Sequence, residues 1–200
     1  MLAAITHDLH TAGEAWLFRA LNADGGPILD GLMVLVSSKP FGAAWAILLA
    51  ALIARAGRGP LAARLRLVAA LGAAIAMSDG LGSQLLRPLL ARRRPCYALP
   101  PGTFRWLAPA ADVGSLPSLH AANFFAMATV AAAAGPRLGL AALGVAVLVA
   151  LSRVYVGVHW PTDVLAGAAW GMVCGMVARL LATWLWARWQ RRRPAAPDLP

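Results

Sequence analysis

Apolar positions fall in long blocks along this chain, separated by short polar or basic turns, and most blocks are long enough to be membrane-crossing helices. Residues 4–22 differ. There Ile5, Leu9, Trp16, Leu17 and Leu21 are interspersed with His7, Asp8, His10, Glu14 and Arg19, the pattern of an amphipathic helix lying in the membrane interface. Asn22 to Gly26 reads as a turn, and Pro27 suits the first position of a new helix. The apolar run Leu29–Val36 is short and is broken by Ser37-Ser38-Lys39-Pro40. Residues 27–38 are therefore expected to form a shallow segment and 41–56 the first span, with one tilted span starting near Asp30 as the alternative.

Further spans are expected at 67–86, 117–134, 138–155 and 161–181. The expected fold is an all-α, polytopic transmembrane helical bundle of about five spans plus the interfacial N-terminal helix. It divides into an interfacial segment 1–26, a transmembrane domain 27–187 and a basic cytoplasmic tail 188–200. Gly167, Gly171 and Gly175 recur every four residues on the last span, giving a smooth face for close helix packing within the bundle. Trp184, Trp186 and Trp189 form an aromatic belt, with Arg188, Arg191, Arg192 and Arg193 beyond it. No internal repeat is visible.

Composition agrees with a bilayer solvent. The 200 residues are 60% hydrophobic and 13% charged, with a mean hydropathy of +0.67, whereas soluble domains are about a quarter charged. The net charge of +10 does not indicate nucleic acid, because the arginines sit between and after the apolar runs rather than on one polar face. Cys96 and Cys174 are expected at different depths and unpaired. Residues 1–26 carry Asp8, Glu14 and Asp24 and lack the unbroken apolar core of a secretory signal. Arginines at 55–66, at 137 and in the tail fall on one side, the cytoplasmic one by the positive-inside bias. The thirty-residue loop Arg87–Leu116 and the 153–161 turn then face outward. That loop nonetheless carries Arg87, Arg92, Arg93, Arg94 and Arg105, for which an anionic ligand is one reason.

Three stretches converge on the outward side: Arg87 to Pro95, Pro117-Ser118-Leu119-His120, and Ser152 to Asp163. Beside spans, such clusters of ionisable groups are costly and point to function. A wet interhelical loop is the alternative for the third stretch taken alone. Arginine forks suit phosphate oxygens, and a helix starting at Pro117-Ser118 directs free backbone N–H groups at an anion. His159 and Asp163 are four residues apart, so the carboxylate can hold one ring nitrogen while the other attacks phosphorus, with His120 as the acid for the leaving oxygen. Outside the N-terminal segment the outward loops offer only Asp112 and Asp163 as carboxylates, too few for a two-metal centre, so a metal-free route without cofactor is expected. No Gly-x4-Gly-Lys nucleotide loop occurs.

These stretches resemble the tripartite signature of the type 2 phosphatidic acid phosphatase superfamily: Lys-x6-Arg-Pro, Pro-Ser-Gly-His and Ser-Arg-x5-His-x3-Asp. The third matches at Ser152, Arg153, His159 and Asp163; the first has Arg87 for the lysine, then Arg94-Pro95; the second has Leu119 for the glycine. The resemblance covers about residues 67–175. It implies a helical-bundle lipid phosphatase in a bacterial cytoplasmic membrane, its site on the outer face. His159 would be the nucleophile, Asp163 its orienting group and His120 the acid and then base. Arg87, Arg94, Arg153, Ser118 and the N–H of Leu119 would bind the phosphate oxygens. Undecaprenyl pyrophosphate is the first substrate by analogy. Phosphatidylglycerol phosphate, phosphatidic acid and lipid A 1-phosphate remain open, as do transfer to an acceptor lipid and non-catalytic binding or transport. Protein partners are not indicated. Arg92 and Arg93 are open between a second phosphate and a solvated face, and Asp79 between a structural and a supporting role. Trp160 and Tyr155 are expected as interface anchors.

Overall fold

A computed structural model describes residues 10–112 and 114–192, and its regular elements are helices. Helix α1 (Ala12–Leu21) is capped by Thr11, whose hydroxyl oxygen accepts from the Glu14 N–H at 3.1 Å. Helix α2 (Gly26–Val36) starts with Pro27 in its first turn and leads to α3 (Lys39–Ala56), where Ser38 caps the Phe41 N–H. The α2–α3 pair bends by 61° at the Ser37-Ser38 break. Helix α4 (Leu61–Leu81) runs through a π turn at Gly82–Leu86 into α5 (Arg87–Leu90), a thirty-residue apolar rod. The single turn α6 (Pro95–Ala98) interrupts the long loop, followed by α7 (Leu119–Ala134), α8 (Pro136–Tyr155) and α9 (Pro161–Arg191).

Three described helical stretches are long and apolar enough to cross a membrane, Leu61–Leu90, Pro136–Tyr155 and Pro161–Arg191, and the bent α2–α3 pair makes a fourth if it is one span. The expected count of about five therefore matches only roughly. The bent pair holds the shallow segment and the first expected span, which already counted as one crossing, so the difference lies at α7. The expected span at 117–134 is a helix of only 16 residues, because Pro117-Ser118 is spent on its entry and Gly135-Pro136 on the turn after it. At 1.5 Å per residue it reaches about 24 Å, short of a roughly 30 Å hydrocarbon layer.

That short helix is nevertheless the centre of the molecule. Ala121, Ala122, Phe124, Ala126, Met127, Val130 and Ala131 of α7 are all buried, packed by α4, α8 and α9. The glycine stripe of α9 explains how closely. A Cβ on Gly171 would lie 2.0 Å from the Ala122 carbonyl oxygen, and one on Gly167 2.4 Å from that of Ser118. Packing inside the bundle is thus what the stripe does, and it locks the start of α7 to the start of α9. Helix α9 also continues to Arg191, so Trp184, Trp186 and Trp189 lie on the helix itself.

Helix α1 docks one face on the protein and leaves the other open. Phe18 and Ala15 are buried, with Phe18 5.4 Å from the Trp160 ring, while Trp16, Leu17 and Leu21 are exposed. Asn22 Nδ2 donates to the carbonyls of Arg105 at 2.9 Å and Tyr155 at 2.6 Å, tying the helix end to the long loop. Ile5, His7, Asp8 and Leu9 of the expected amphipathic segment, and residues 193–200 of the tail, lie outside the described residues.

Candidate active site

The C-terminal end of α4 leads into α5, and the entries of α7 and α9 meet the exit of α8 there. A cavity of about 720 Å³ opens at this junction. Arg87 (α5), Arg94 (long loop), Leu119 and His120 (α7), Arg153 (α8) and His159 (the α8–α9 turn) all line it, so the three sequence stretches share one chamber. Asp163 and Ser118 do not line the chamber but stand behind it. Away from the histidines its wall is apolar, with Ala43, Ala46, Ile75, Phe124 and Met127 from α3, α4 and α7.

His159 is buried between two partners. Its Nε2 lies 2.9 Å from Arg94 Nη1, and its Nδ1 lies 3.5 Å from Asp163 Oδ2, within ion-pair reach but long for a hydrogen bond. An arginine can only donate, so Nε2 is the unprotonated nitrogen and Nδ1 carries the proton toward the carboxylate. Burial, then the Arg94 charge, holds His159 well below its ordinary pKa, so the ring is neutral at physiological pH. Burial likewise lowers Arg94. Arg94 is fixed by the carbonyls of Val158 at 3.0 Å and Gly114 at 3.3 Å.

Asp163 is fully buried and densely held. Oδ1 accepts from Arg92 Nη1 at 2.7 Å; Oδ2 accepts from Ser115 Oγ at 2.5 Å and from the Trp160 N–H at 2.8 Å. The last bond places the carboxylate in the first turn of α9, where the positive helix end favours it. On the opposite wall Arg153 Nη1 donates to the Ser37 carbonyl at 3.1 Å and to its hydroxyl, and Arg87 Nε donates to the Pro117 carbonyl at 3.3 Å. Arg94 Nε, Arg153 Nε and the Ser118 hydroxyl are buried without a protein partner among the described residues. One anion-site expectation needs correction: the Ser118 backbone N–H is not free, because it donates to the Asp163 carbonyl at 3.0 Å. Leu119 occupies the motif's glycine position by packing against the π turn, where its Cδ2 sits 2.4 Å from the place a Cβ on Gly82 would take.

The arginines expected to face outward divide in two. Arg87 and Arg94 face the cavity. Arg92, Arg93 and Arg105 instead meet protein carboxylates: Glu14 and Asp163, Asp112, and Asp30 with Asp24, respectively. Arg92 in particular is buried, 2.6 Å from Glu14 Oε2, and neither reading of it as solvated or phosphate-facing fits. Trp160 is likewise core, stacked 4.5 Å from His10, and Tyr155 is buried with its hydroxyl on Asp30 at 2.5 Å. Glu14, Ser37, Lys39 and Ser115 were not singled out by the sequence. They lie in other segments, and nothing in their local spacing points to the site.

Residues 65–193 match the PAP2 superfamily. The chain belongs to this superfamily. It is therefore a membrane-integral lipid phosphatase, a phosphoric monoester hydrolase, with a lipid phosphate as substrate. It is 27% identical over 191 residues to a lipid A 4'-phosphatase of Porphyromonas gingivalis, covering 88% of this chain and 75% of that one. A lipid A 1-phosphatase of Rhizobium etli is 34% identical over 95 residues, 46% of this chain and 41% of its own. The crystal structure of Aquifex aeolicus LpxE superposes with a TM-score of 0.71 at 26% identity, covering 87% of this chain and 98% of that one. A PAP2-type phosphatidylglycerolphosphate phosphatase of Bacillus subtilis, at 22% identity and a TM-score of 0.60 over 92% of both chains, shares the fold.

Proposed function

We propose that this phosphatase removes a phosphate monoester from a sugar-headed membrane lipid of the lipid A type through a phosphohistidine at His159, without a metal ion. The observation that supports it most is the His159–Arg94 pair at 2.9 Å in a chamber with three guanidinium groups and an apolar wall. In this reading the neutral Nε2 attacks phosphorus and a P–N bond forms as the P–O bond to the lipid breaks. His120, which takes up a proton once the phosphate dianion sits among the arginines, gives it to the leaving alkoxide. Asp163 keeps the Nδ1 proton in place and stabilises the charge that develops on the ring, the 3.5 Å gap closing as it does so. Arg87, Arg94 and Arg153 swing onto the equatorial oxygens, joined by the Leu119 N–H and the Ser118 hydroxyl. Water activated by His120 then attacks the phosphohistidine, and inorganic phosphate leaves.

The names of the Porphyromonas relative and of the Rhizobium protein favour lipid A as the lipid. A second reading, undecaprenyl pyrophosphate, is favoured by Lys39, an exposed fourth cation on the same chamber that suits a second phosphate. In either case residues 1–26 form an interfacial segment, 27–187 the catalytic transmembrane domain and 188–200 a cytoplasmic tail. The chamber faces the periplasmic side of a bacterial inner membrane.

The test is phosphate release by detergent-purified protein in excess EDTA, from lipid A, phosphatidylglycerol phosphate, phosphatidic acid and undecaprenyl pyrophosphate. EDTA-resistant release, fastest from lipid A and abolished by His159→Ala, is expected. Release restored only by added metal, or unchanged in the variant, would overturn the mechanism. A product lipid carrying the transferred phosphate would replace hydrolysis by transfer.

A further inference from the structure

The chamber has a second polar pole that the phosphate chemistry does not use. On its wall, Asp79 of α4 and Asn123 of α7 lie side by side, with Asn123 Nδ2 donating to Asp79 Oδ1 at 3.2 Å. The amide is oriented from behind, because the buried Ser78 hydroxyl bonds Asn123 Oδ1. Ser78 is held in turn by its own helix and by Trp170, whose Nε1 donates to the Ser78 carbonyl at 3.1 Å. Among the described residues the Asp79 carboxylate meets no cation within ion-pair distance, and Arg87 spends its Nε on the Pro117 carbonyl instead. Asp79 is exposed to the chamber all the same. An ionisable group on a membrane helix, left open to a cavity and held by a neutral partner, is an acceptor waiting for a donor.

Its depth says which donor. Asn123 is three residues after His120, so it lies one turn, about 4.5 Å, further along α7 from the helix start. Below it the wall becomes apolar at Phe124 and Met127. A lipid whose phosphate sits among His120, His159 and the arginines therefore brings the first atoms of its alcohol portion to the Asp79–Asn123 level. Its chains come to the apolar wall. A phosphate cannot take this position, since the carboxylate would repel it.

We infer that Asp79 and Asn123 form a headgroup subsite that accepts hydrogen bonds from hydroxyl or amide groups next to the phosphorylated carbon, as sugar and glycerol headgroups provide. Phosphatidic acid and polyprenyl phosphates place no donor there and would leave the carboxylate without one. The inference rests on the phosphatase reading and narrows its substrate class. It weighs against a polyprenyl substrate even though Lys39 could meet a second phosphate.

The experiment compares kcat/KM on four lipids. Lipid A and phosphatidylglycerol phosphate carry the donor; phosphatidic acid and undecaprenyl pyrophosphate do not. Asp79→Leu should lower kcat/KM on the first two by about tenfold or more, the scale of a lost hydrogen bond to a charged acceptor, and leave the last two unchanged or faster. Asp79→Asn keeps the shape and an acceptor oxygen, guards against misfolding, and should show a loss of about threefold with the same selectivity. Equal losses on all four lipids would assign Asp79 a structural role, and no loss on any would remove it from the site; either result overturns the subsite. Binding of the same lipids to His159→Ala protein, read by native mass spectrometry with and without Asp79→Leu, reports the subsite apart from turnover. If wild type hydrolyses none of the lipids yet binds the donor-bearing pair more tightly in an Asp79-dependent way, the phosphatase reading fails and the subsite stands. Binding that ignores both the donor and Asp79 sinks the subsite whatever the turnover.

Discussion

Replacing Glu14 tests how far the N-terminal helix reaches into the chemistry. Glu14 Oε2 is 2.6 Å from Arg92 Nη2, and Arg92 Nη1 is 2.7 Å from Asp163 Oδ1, so one guanidinium bridges α1 to the carboxylate behind His159. Glu14 also accepts from the Thr162 N–H at 3.2 Å and from the Thr162 hydroxyl, at the start of α9. Both side chains of the Glu14–Arg92 pair are nearly buried, 9% and 4% exposed. Breaking a buried pair by removing one partner costs about 3–5 kcal/mol. Arg92 keeps Asp163 and Thr162, so Glu14→Ala should cost about 3 kcal/mol, the low end of that range. Most of this should appear as loss of α1 docking, since Phe18 and Asn22 must hold the helix unaided. A smaller share should reach catalysis. Without Glu14 the whole guanidinium charge bears on Asp163, which then stabilises the developing imidazolium less. A loss of about 1.4 kcal/mol there is tenfold in kcat. Glu14→Gln keeps the hydrogen bonds without the charge and should lose about threefold. Phosphate release under saturating lipid gives kcat, and hydrogen exchange over residues 12–21 reports docking. Wild-type kcat in Glu14→Ala, with α1 exchanging freely, would refute the coupling.

Further outcomes follow from the same geometry. Gly171→Ala puts a methyl 2.0 Å from the Ala122 carbonyl oxygen, so it should destabilise the α7–α9 packing by about 1–3 kcal/mol and lower activity through displaced His120, measured by thermal denaturation and phosphate release. Gly82→Ala should cost activity by displacing Leu119 from the π turn, and the double variant Gly82→Ala/Leu119→Gly should recover most of it; a double mutant no better than Gly82→Ala would contradict the packing. Arg93 pairs with Asp112 in the open, so Arg93→Ala should change stability by less than about 1 kcal/mol and leave kcat alone, whereas Arg94→Ala should abolish turnover. His159 is held neutral in the folded protein, so the unfolded chain binds its proton more readily. The stability from this group is complete above pH of about 6.5 and falls as pH drops below it toward the lower folded value. Unfolding followed from pH 7.5 to 5 should show that slope in wild type and a shallower one in His159→Asn.

Much of the candidate site was legible because its residues cluster in sequence. Arg153 lies in the last turn of α8, His159 in the turn after it and Asp163 in the first turn of α9, and Pro117 to His120 mark a helix start that the structure places beside them. What was hidden is pairing at long range. Arg92 and Arg105 look like ligand-seeking charges until Glu14 and Asp30, more than seventy residues earlier, are brought against them. Trp160 shows the same limit, since an aromatic beside a span suggests a membrane interface, yet His10 and Phe18 cover it. The Gly167–Gly175 stripe announced a close approach but not its partner, which is the α7 backbone. Span counting is loosest at α7, because an apolar run does not tell whether lipid or protein surrounds it; here protein buries much of a sixteen-residue helix.

The most direct test of the account is covalent trapping with lipid carrying ³²P in the scissile phosphate. Rapid acid-free denaturation of turning-over protein should yield a label that survives alkali, is lost in mild acid and maps to the peptide containing His159. The label should be absent in His159→Ala. A protein that releases phosphate at full rate with no such label, or with one that persists in His159→Ala, would contradict the phosphohistidine route.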